Sequence, residues 1–497
     1  MPKTLTIIGM GAVGVAAFAE TVARLRYDPG NRLTIKLVER DTALGRGLAF
    51  GTDQKGHLLN TESRLMGLYD QEPDHFRTWL DERRAAAGEP IAPDAVNYVQ
   101  RREYRMYMQD VLATAFADAD AADIAVEIHH GEATAIDERE GGFVVRMADG
   151  TDFPSDFTLM AIGTPQAERF RNLDGAAGYF DSPYPSDRLI KEIERDQDVV
   201  ILGSGLSAID TVMSLLDVDH HGRINLISKD GMLPHVEIPR PETGYDCRHL
   251  TLANVHRLIR KRGPKFSVVD LVRLFRREAE EAVGRPIDWA AEDRFAGDAK
   301  VALERDIVAA EAGNEPFQRI LTSGRHEATM IWNLLSEKDQ LRFSKWLAPH
   351  FATARYAMPM VNARRIAAAM QRGLLTVRGN VGRTERNAEG EGFVVRFEDG
   401  PTFAASVVIN ATGTATRLEE MKEPLIHDLI QKGWLQSHPM GGARAHRATC
   451  RTMSAKGDGP CLYGVGQILG GELHDTNAVW FNVACAARAV DDILRQR

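Results

Sequence analysis

The stretch LTIIGMGAVG, Leu5–Gly14, is a β-branched run that ends in three glycines spaced G-x-G-x-x-G (Gly9, Gly11, Gly14), and the alanine-rich stretch VAAFAETVARLR follows it. Gly9 permits the tight turn out of a strand, Gly11 lets the backbone approach a pyrophosphate, and Gly14 lets the ensuing helix pack closely on the strand. The start of that helix offers N–H groups to phosphate charge. A second run, LTIKLVER, ends in Glu39, 25 residues past Gly14, where a carboxylate binds ribose hydroxyls. Strand, glycines, helix, strand and acid in this order predict a dinucleotide-binding unit. Gly9, Gly11, Ala12, Val13 and Gly14 would lie at the phosphates, with Glu39 and Arg40 near the ribose.

The same grammar recurs in DVVILGSGLSAIDTVMSLL, Asp198–Leu216, with Gly203, Gly205 and Ala208 in the three small-residue places and Ser204, Leu206 and Ser207 between them. Its next strand, RINLISKDG, carries Ser228 and Lys229 where an acid would mark a free 2′-hydroxyl. A hydroxyl and an ammonium there suit the 2′-phosphate of NADPH, although Asp230 follows at once.

Each unit leads into one half of a repeat. GFVVRMADG (Gly142–Gly150) and GFVVRFEDG (Gly392–Gly400) lie 250 residues apart, and each is followed 13 residues later by a glycine, Gly163 or Gly413, that closes an apolar A-x-G-T strand. A strand, a D-G turn, a second strand and a buried strand at one constant offset predict a β-meander inserted before the last strand of each fold. The glycine motif precedes Phe143 by 134 residues in the first copy and Phe393 by 190 in the second, so the second accommodates extra chain. Helical periodicity in NVHRLIRKRG, VVDLVRLFRREAEEAV, DAKVALERDIVAAEA and EATMIWNLLSEKDQLRFSKWL places it between residues 249 and 350. That insertion either shapes a substrate pocket or serves as a structural or dimerisation unit.

Composition narrows the function. A charge of −9 over 497 residues argues against nucleic acid as a partner, and the run Arg260-Lys261-Arg262 reads as a solvated helix end. No apolar run approaches the roughly 18–20 residues that span a bilayer, and the first residues lead straight into the glycine motif, so no membrane association and a cytoplasmic location are expected. The four cysteines, Cys247, Cys450, Cys461 and Cys485, form no CxxC, which fits a reducing compartment and argues against a dithiol relay. The pairs His129-His130 and His220-His221 point to opposite faces of a strand and lack ligand companions, so no metal is expected.

The two glycine motifs, the paired A-x-G-T strands and the C-terminal LYGVGQILGGELHDTNAVWFNVACAARAV resemble flavoproteins with two dinucleotide-binding domains, FAD first and NAD(P) second. GRGLAFGTDQKGHLLNTESRLMG, DHFRTWL and RREYRMYMQDVL are similar to a bacterial FAD/NAD(P)-binding family related to class B flavin monooxygenases of the N-hydroxylating type. The fold this implies is α/β: two Rossmann-like dinucleotide-binding domains, for FAD and NADPH, each with an inserted β-meander, plus a helical insertion. The segments would run 1–190 (FAD domain, first part), 191–248 (NAD(P) domain, first part), 249–350 (insertion), 351–412 (NAD(P) domain, second part) and 413–497 (FAD domain, C-terminal part).

By position, the resemblance further assigns Arg46, Leu59, Asn60, Arg102, Ala133, Gly163, Gly413 and Gly466 to cofactor binding, and lets Thr476 and Asn477 start a helix whose N-terminus faces the flavin pyrimidine ring. Asn60 is also the candidate for holding substrate or a flavin hydroperoxide, unless its amide merely caps a loop. The related enzymes often carry a histidine-containing basic segment where this chain has Arg355 and Tyr356, which makes Arg355 the second catalytic candidate. The fingerprint of Baeyer–Villiger enzymes is not legible before Gly203. His57, His438 and His474 flank the flavin segments as acid–base candidates, and Arg240, Arg248, Arg257, Arg325 and Arg355, from IPRPETGYDCRH and the insertion, are candidate ligands of a substrate carboxylate.

The implied activity is that of a monooxygenase in which NADPH reduces FAD and O2 then oxygenates a small-molecule substrate, such as an amine or amino acid. A flavin-dependent NAD(P)H dehydrogenase passing electrons to another acceptor is the alternative. A non-enzymatic flavoprotein is less well supported, because the second glycine motif is intact. A homo-oligomer is compatible with all three.

Overall fold

The structure, a computed structural model, describes residues 2–496 except 29, 31–32, 90–97, 141, 168, 239–244, 264–265, 291, 296, 314, 389 and 458. Arg240 lies outside the described residues. β1 (Lys3–Ile8), β2 (Leu33–Glu39) and β3 (Val126–His130) run side by side and parallel. An antiparallel meander follows, β4 (Ala133–Arg139), β5 (Gly142–Met147) and β6 (Asp152–Pro154), before β7 (Phe157–Met160) returns to pair with β1.

The second sheet is built from β8 (Tyr179–Phe180), β9 (Val199–Leu202), β10 (Ile224–Ile227) and β11 (Leu375–Arg378). Its meander, β12 (Val381–Arg386), β13 (Phe393–Phe397) and β14 (Thr402–Ala405), precedes β15 (Val407–Asn410), which pairs with β9. β16 (Cys461–Gly464) then returns to the first sheet beside β7. The sheet orders, β16-β7-β1-β2-β3 and β8-β15-β9-β10-β11, are the same arrangement used twice. Even the meanders match in detail, each with a register shift at its start, between Ala133 and Ala135 and between Val381 and Arg383.

β7, β9 and β15 are buried at every residue, as strands covered on both faces must be, and this is why their sequences read as unbroken apolar runs. In the first domain the helix Ala12–Leu25 packs on the C-terminal helix Val479–Arg495, and buried Ala16, Ala19, Ala486 and Ala489 let the two approach closely.

The segment boundaries differ from the sequence expectation in two places. β8, at Tyr179–Phe180, already belongs to the second sheet, ahead of the expected start at 191. The helices between 249 and 350 do not form one unit. Helix Ala299–Glu311 buries Ala299, Leu303 and Ala310 against Ala363 and Ile366 of helix Met360–Gln371, in the core of the second domain. Helices Leu252–Arg262, Val268–Val283, Arg325–Trp332 and Glu337–Trp346 share a separate core of Val255, Phe266, Ile331, Trp332 and Phe343. A stretch of periodic sequence shows that a helix has an apolar face, but not which core that face meets. Arg260, Lys261 and Arg262 form the exposed last turn of their helix, as expected.

Candidate active site

The two glycine turns are near copies of each other. Gly9 has φ +93° and Gly203 φ +114°, and a Cβ on either would sit 2.4 Å from a carbonyl oxygen, that of Ala161 or of Ala411. Their amides donate to Val38 O and Ile227 O, both at 2.8 Å, tying each turn to the neighbouring strand. Gly11 and Gly205 are the N-caps of the following helices, and neither has a side-chain cap, so first-turn N–H groups are left for an anion. A Cβ on Gly205, Gly163 or Gly413 would meet no atom within 4 Å, and one on Gly14 would meet Gly9 O at 1.9 Å. Open space at the turn and close packing behind it fit a dinucleotide pyrophosphate in both domains.

Strand register decides which residue takes the ribose position. Ile8 pairs with Val38, and Leu202 with Ile227, so Glu39 and Ser228 are equivalent. Glu39 is held by Met10 N at 2.7 Å and Asp41 N at 3.1 Å, which aims its carboxylate across the mouth of the first turn. Ser228 Oγ donates to Asp230 at 3.0 Å, accepts from Gly231 N at 2.8 Å and lies 2.9 Å from Ser204 Oγ. Asp230 is thus drawn into the turn, leaving Lys229 as the exposed charge at this mouth. Leu206 and Ser207 are half-buried in the first turn of the helix.

Other residues assigned by position to the first domain fall as follows. Arg46 donates to Gly51 O at 3.1 Å in the loop whose Gly47 faces Gly11. Leu59 is buried, Asn60 exposed, Ala133 buried at the start of β4, and Arg40 exposed beside Glu132. Gly466 faces the Gly163 turn. Thr476 is buried, while Asn477 is exposed and bonds to the Tyr356 hydroxyl. The C-terminal helix begins at Val479, with Ala478 as N-cap, rather than at Thr476 or Asn477, and Asp475 is bound to Arg355. Its N-terminus has no side-chain cap.

Arg102 is exposed, and its neighbour Arg101 turns inward. The Arg101 guanidinium meets Asp210 of the second domain at 2.6 Å and donates to Leu58 O at 3.2 Å. Tyr184 also donates to Asp210, and His57 sits 2.9 Å from Asp210 O and Ser214 Oγ. Burial opposes charge on Arg101, but Asp210 and Tyr184 more than offset it and raise its pKa. Burial keeps His57 neutral by lowering its pKa. This cluster fastens one domain to the other. Adjacent arginines look alike in sequence, and only the helix phase at Arg101–Ala121 separates them.

The insertion is anchored to the segment that precedes the C-terminal helix. Thr329 donates to Leu473 O at 2.7 Å, Trp332 to Gly471 O at 3.1 Å and Asn333 to Glu472 O at 3.3 Å. His474 stacks on Trp332 with ring centres 4.4 Å apart, and burial, helped by Arg355, pushes its pKa down to about 4, so it is neutral. Arg355 donates to Asp475 at 2.8 Å, while burial pushes the Asp475 carboxyl upward against that pull. Above these residues lies a chamber of about 430 Å³ lined by the insertion and floored by Arg355, His474 and Asp475, with Arg325 in its wall. Of the other arginines, Arg248 pairs with Glu281 and Arg257 with Asn254, both exposed. His438 lies 3.8 Å from Glu472.

Cys450 and Cys485, distant in sequence, are hydrogen-bonded side by side. Both thiols are fully buried.

Among the described residues Glu237 Oε2, in the segment beside Met358, has no hydrogen-bond donor, and burial raises the pKa of this carboxyl to about 8. In the unfolded chain this acid ionises near its ordinary 4.5, so stability is lost as pH rises from there toward 8. Glu237→Gln should leave the melting temperature unchanged at pH 5 and raise it at pH 8.5, each pKa unit of relief contributing roughly 1.4 kcal/mol. Equal shifts at the two pH values, measured by calorimetry, would contradict this.

With two phosphate cradles in place, the comparison with known proteins has a structural basis. Residues 6–165 match the FAD-NAD(P)-binding family. No curated protein matches the chain. Among solved structures, the chain is similar to the ornithine N-hydroxylase of Kutzneria sp. 744 with reduced FAD, NADP+ and L-ornithine (14% identity, TM-score 0.56, 100% of each chain). It is also similar to the ornithine hydroxylase of Pseudomonas aeruginosa (13% identity, TM-score 0.54, 100% of this chain and 99% of that one). The L-lysine 6-monooxygenase of Pseudomonas syringae is a third (16% identity, TM-score 0.52, 99% of each chain). At such identities the likeness is one of fold: two dinucleotide-binding domains in one chain. Among the described residues no helix is long and apolar enough to cross a membrane.

Proposed function

We propose that this protein is an FAD- and NADPH-dependent monooxygenase of a reducing compartment, which inserts one atom of O2 into a small molecule at a nitrogen. For an N–H substrate the balance is R–NH2 + O2 + NADPH + H+ → R–NHOH + H2O + NADP+. The observation that carries the reading is the chamber whose floor is Arg355, His474 and Asp475, the residues just before the uncapped helix N-terminus that the resemblance assigns to the flavin. The similar N-hydroxylase structures support it.

Bound FAD would supply hydride acceptance and O2 activation, and the chain's own residues the rest. Glu39 would hold the FAD ribose, the Gly9–Gly14 turn its pyrophosphate, and Gly163 and Gly466 leave room for the chain beyond. The Gly203–Ser207 turn would hold the NADPH pyrophosphate and Lys229 its 2′-phosphate. Asn60 and Arg355 would orient substrate, and the insertion would exclude water. Purified, FAD-loaded protein should oxidise NADPH and incorporate label from 18O2 into an added amine. Rapid NADPH oxidation with an artificial acceptor and no label in any amine would favour the dehydrogenase alternative.

Coenzyme preference tests the Lys229 assignment. Lys229→Ala should raise KM for NADPH about tenfold, corresponding to about 1.4 kcal/mol of lost binding, while KM for NADH and kcat stay near their original values. An unchanged NADPH-to-NADH ratio would remove Lys229 from the site.

A further inference from the structure

Three observations bear on what fills the chamber. The first is size. At about 430 Å³ it falls within the roughly 300–1,000 Å³ of drug-sized ligand sites and exceeds what a short amino acid needs.

The second is the lining. One wall is a cluster of rings from separate segments, in which Phe275 stacks on Phe317 at 5.7 Å and Trp289 lies 5.8 Å from Phe317. The other wall is Trp332, Phe343 and Phe351 grouped around His474, with centroid distances of 4.4–5.9 Å. Three of the chain's six tryptophans line this one space. Rings contributed by several helices present flat faces and apolar edges to a guest, and Arg276, Glu292, Asp293 and Arg294 add charged groups to the lining.

The third is at the floor. Asp475 is 4% exposed; Arg355 occupies its Oδ2, and its Oδ1 is buried with no hydrogen-bond donor among the described residues. A buried acceptor left unmade costs free energy, and a donor from a ligand would relieve that cost. Arg355 is engaged by Asp475, and Arg325 lies against Glu62 at 3.9 Å and over the Trp480 ring. Arg276, over the Trp289 ring, and Arg294, 2.9 Å from Asp306, also line the chamber, so each guanidinium in the lining already faces a carboxylate or a ring.

We infer that the chamber binds an aryl amine: a flat, apolar ring system whose amino group donates an N–H to Asp475 Oδ1, and not a zwitterionic amino acid. The ring system fills the space between the two aromatic walls, and the nitrogen lies at the end nearest the first domain. Only what happens after binding depends on the oxygenase reading.

The test is therefore a binding measurement on oxidised, FAD-loaded protein without NADPH, by tryptophan fluorescence and calorimetry. The probes are 1-aminonaphthalene, naphthalene and L-ornithine. The amine should bind at least tenfold more tightly than naphthalene, and ornithine should not bind. Asp475→Asn should weaken the amine about tenfold and leave naphthalene unchanged. Ala328→Trp, which fills the chamber from its wall, should abolish binding of both aryl compounds while one FAD stays bound per chain. Ornithine binding more tightly than the amine, or amine binding insensitive to Ala328→Trp, would overturn the assignment. Labelled O2 with a bound amine then judges the oxygenase reading separately: tight binding without incorporation would sink that reading and leave the site standing.

Discussion

Gly203→Val should give a yellow protein that NADPH no longer reduces. Valine at φ +114° occupies a region open essentially to glycine, a strain on the order of 1–3 kcal/mol, and its Cβ would lie 2.4 Å from Ala411 O. The turn must move, and with it the N–H groups of Gly205–Ser207 that the NADPH phosphates would meet. KM for NADPH should rise at least a hundredfold, with one FAD still bound per chain. Gly9→Val makes the same clash, 2.4 Å from Ala161 O, in the other domain. It should give colourless protein, because this turn would hold FAD. Absorbance at 450 nm and anaerobic reduction by NADPH separate the two outcomes. Loss of FAD in Gly203→Val would mean that the two domains are not the independent cradles their geometry indicates.

The second large effect is expected at Arg101. Arg101→Met leaves the Asp210 carboxylate, 4% exposed, without its cation at the seam between the domains. Breaking a buried pair from one side costs about 3–5 kcal/mol, so the melting temperature should fall markedly. Asp210→Leu together with Arg101→Met should recover much of it, since no unpaired charge then remains. Because the pair also sets one domain against the other, hydride transfer in Arg101→Met should slow at saturating NADPH while FAD binding is kept. Arg102→Ala should stay within about 0.5 kcal/mol of the parent protein, as exposed positions do. A double-mutant coupling near zero between Arg101 and Asp210 would deny them this role.

The contrast between Arg101 and Arg102 shows what a sequence can and cannot carry. Both arginines stand in the first turn of one helix, but facing inward or outward is a matter of phase, and one residue shifts it by about 100°. The offset between Glu39 and Ser228 was legible because parallel strands keep register with their glycine turns. The aromatic chamber was not, since its rings come from five helices and a loop whose periodic patterns reveal only that each has an apolar face. Helix Ala299–Glu311 illustrates the same limit: it reads like its neighbours but buries its face in the second domain.

The sequence by itself determined the two dinucleotide folds, their order and their inserted meanders, because glycine turns, strand runs and D-G hairpins are local and obey fixed spacings. Tertiary structure alone decided that Cys450 meets Cys485, that Asp475 is bound to Arg355, and that rings far apart in the chain enclose one chamber. Those outcomes depend on which faces meet across long sequence separations, and no local spacing encodes that.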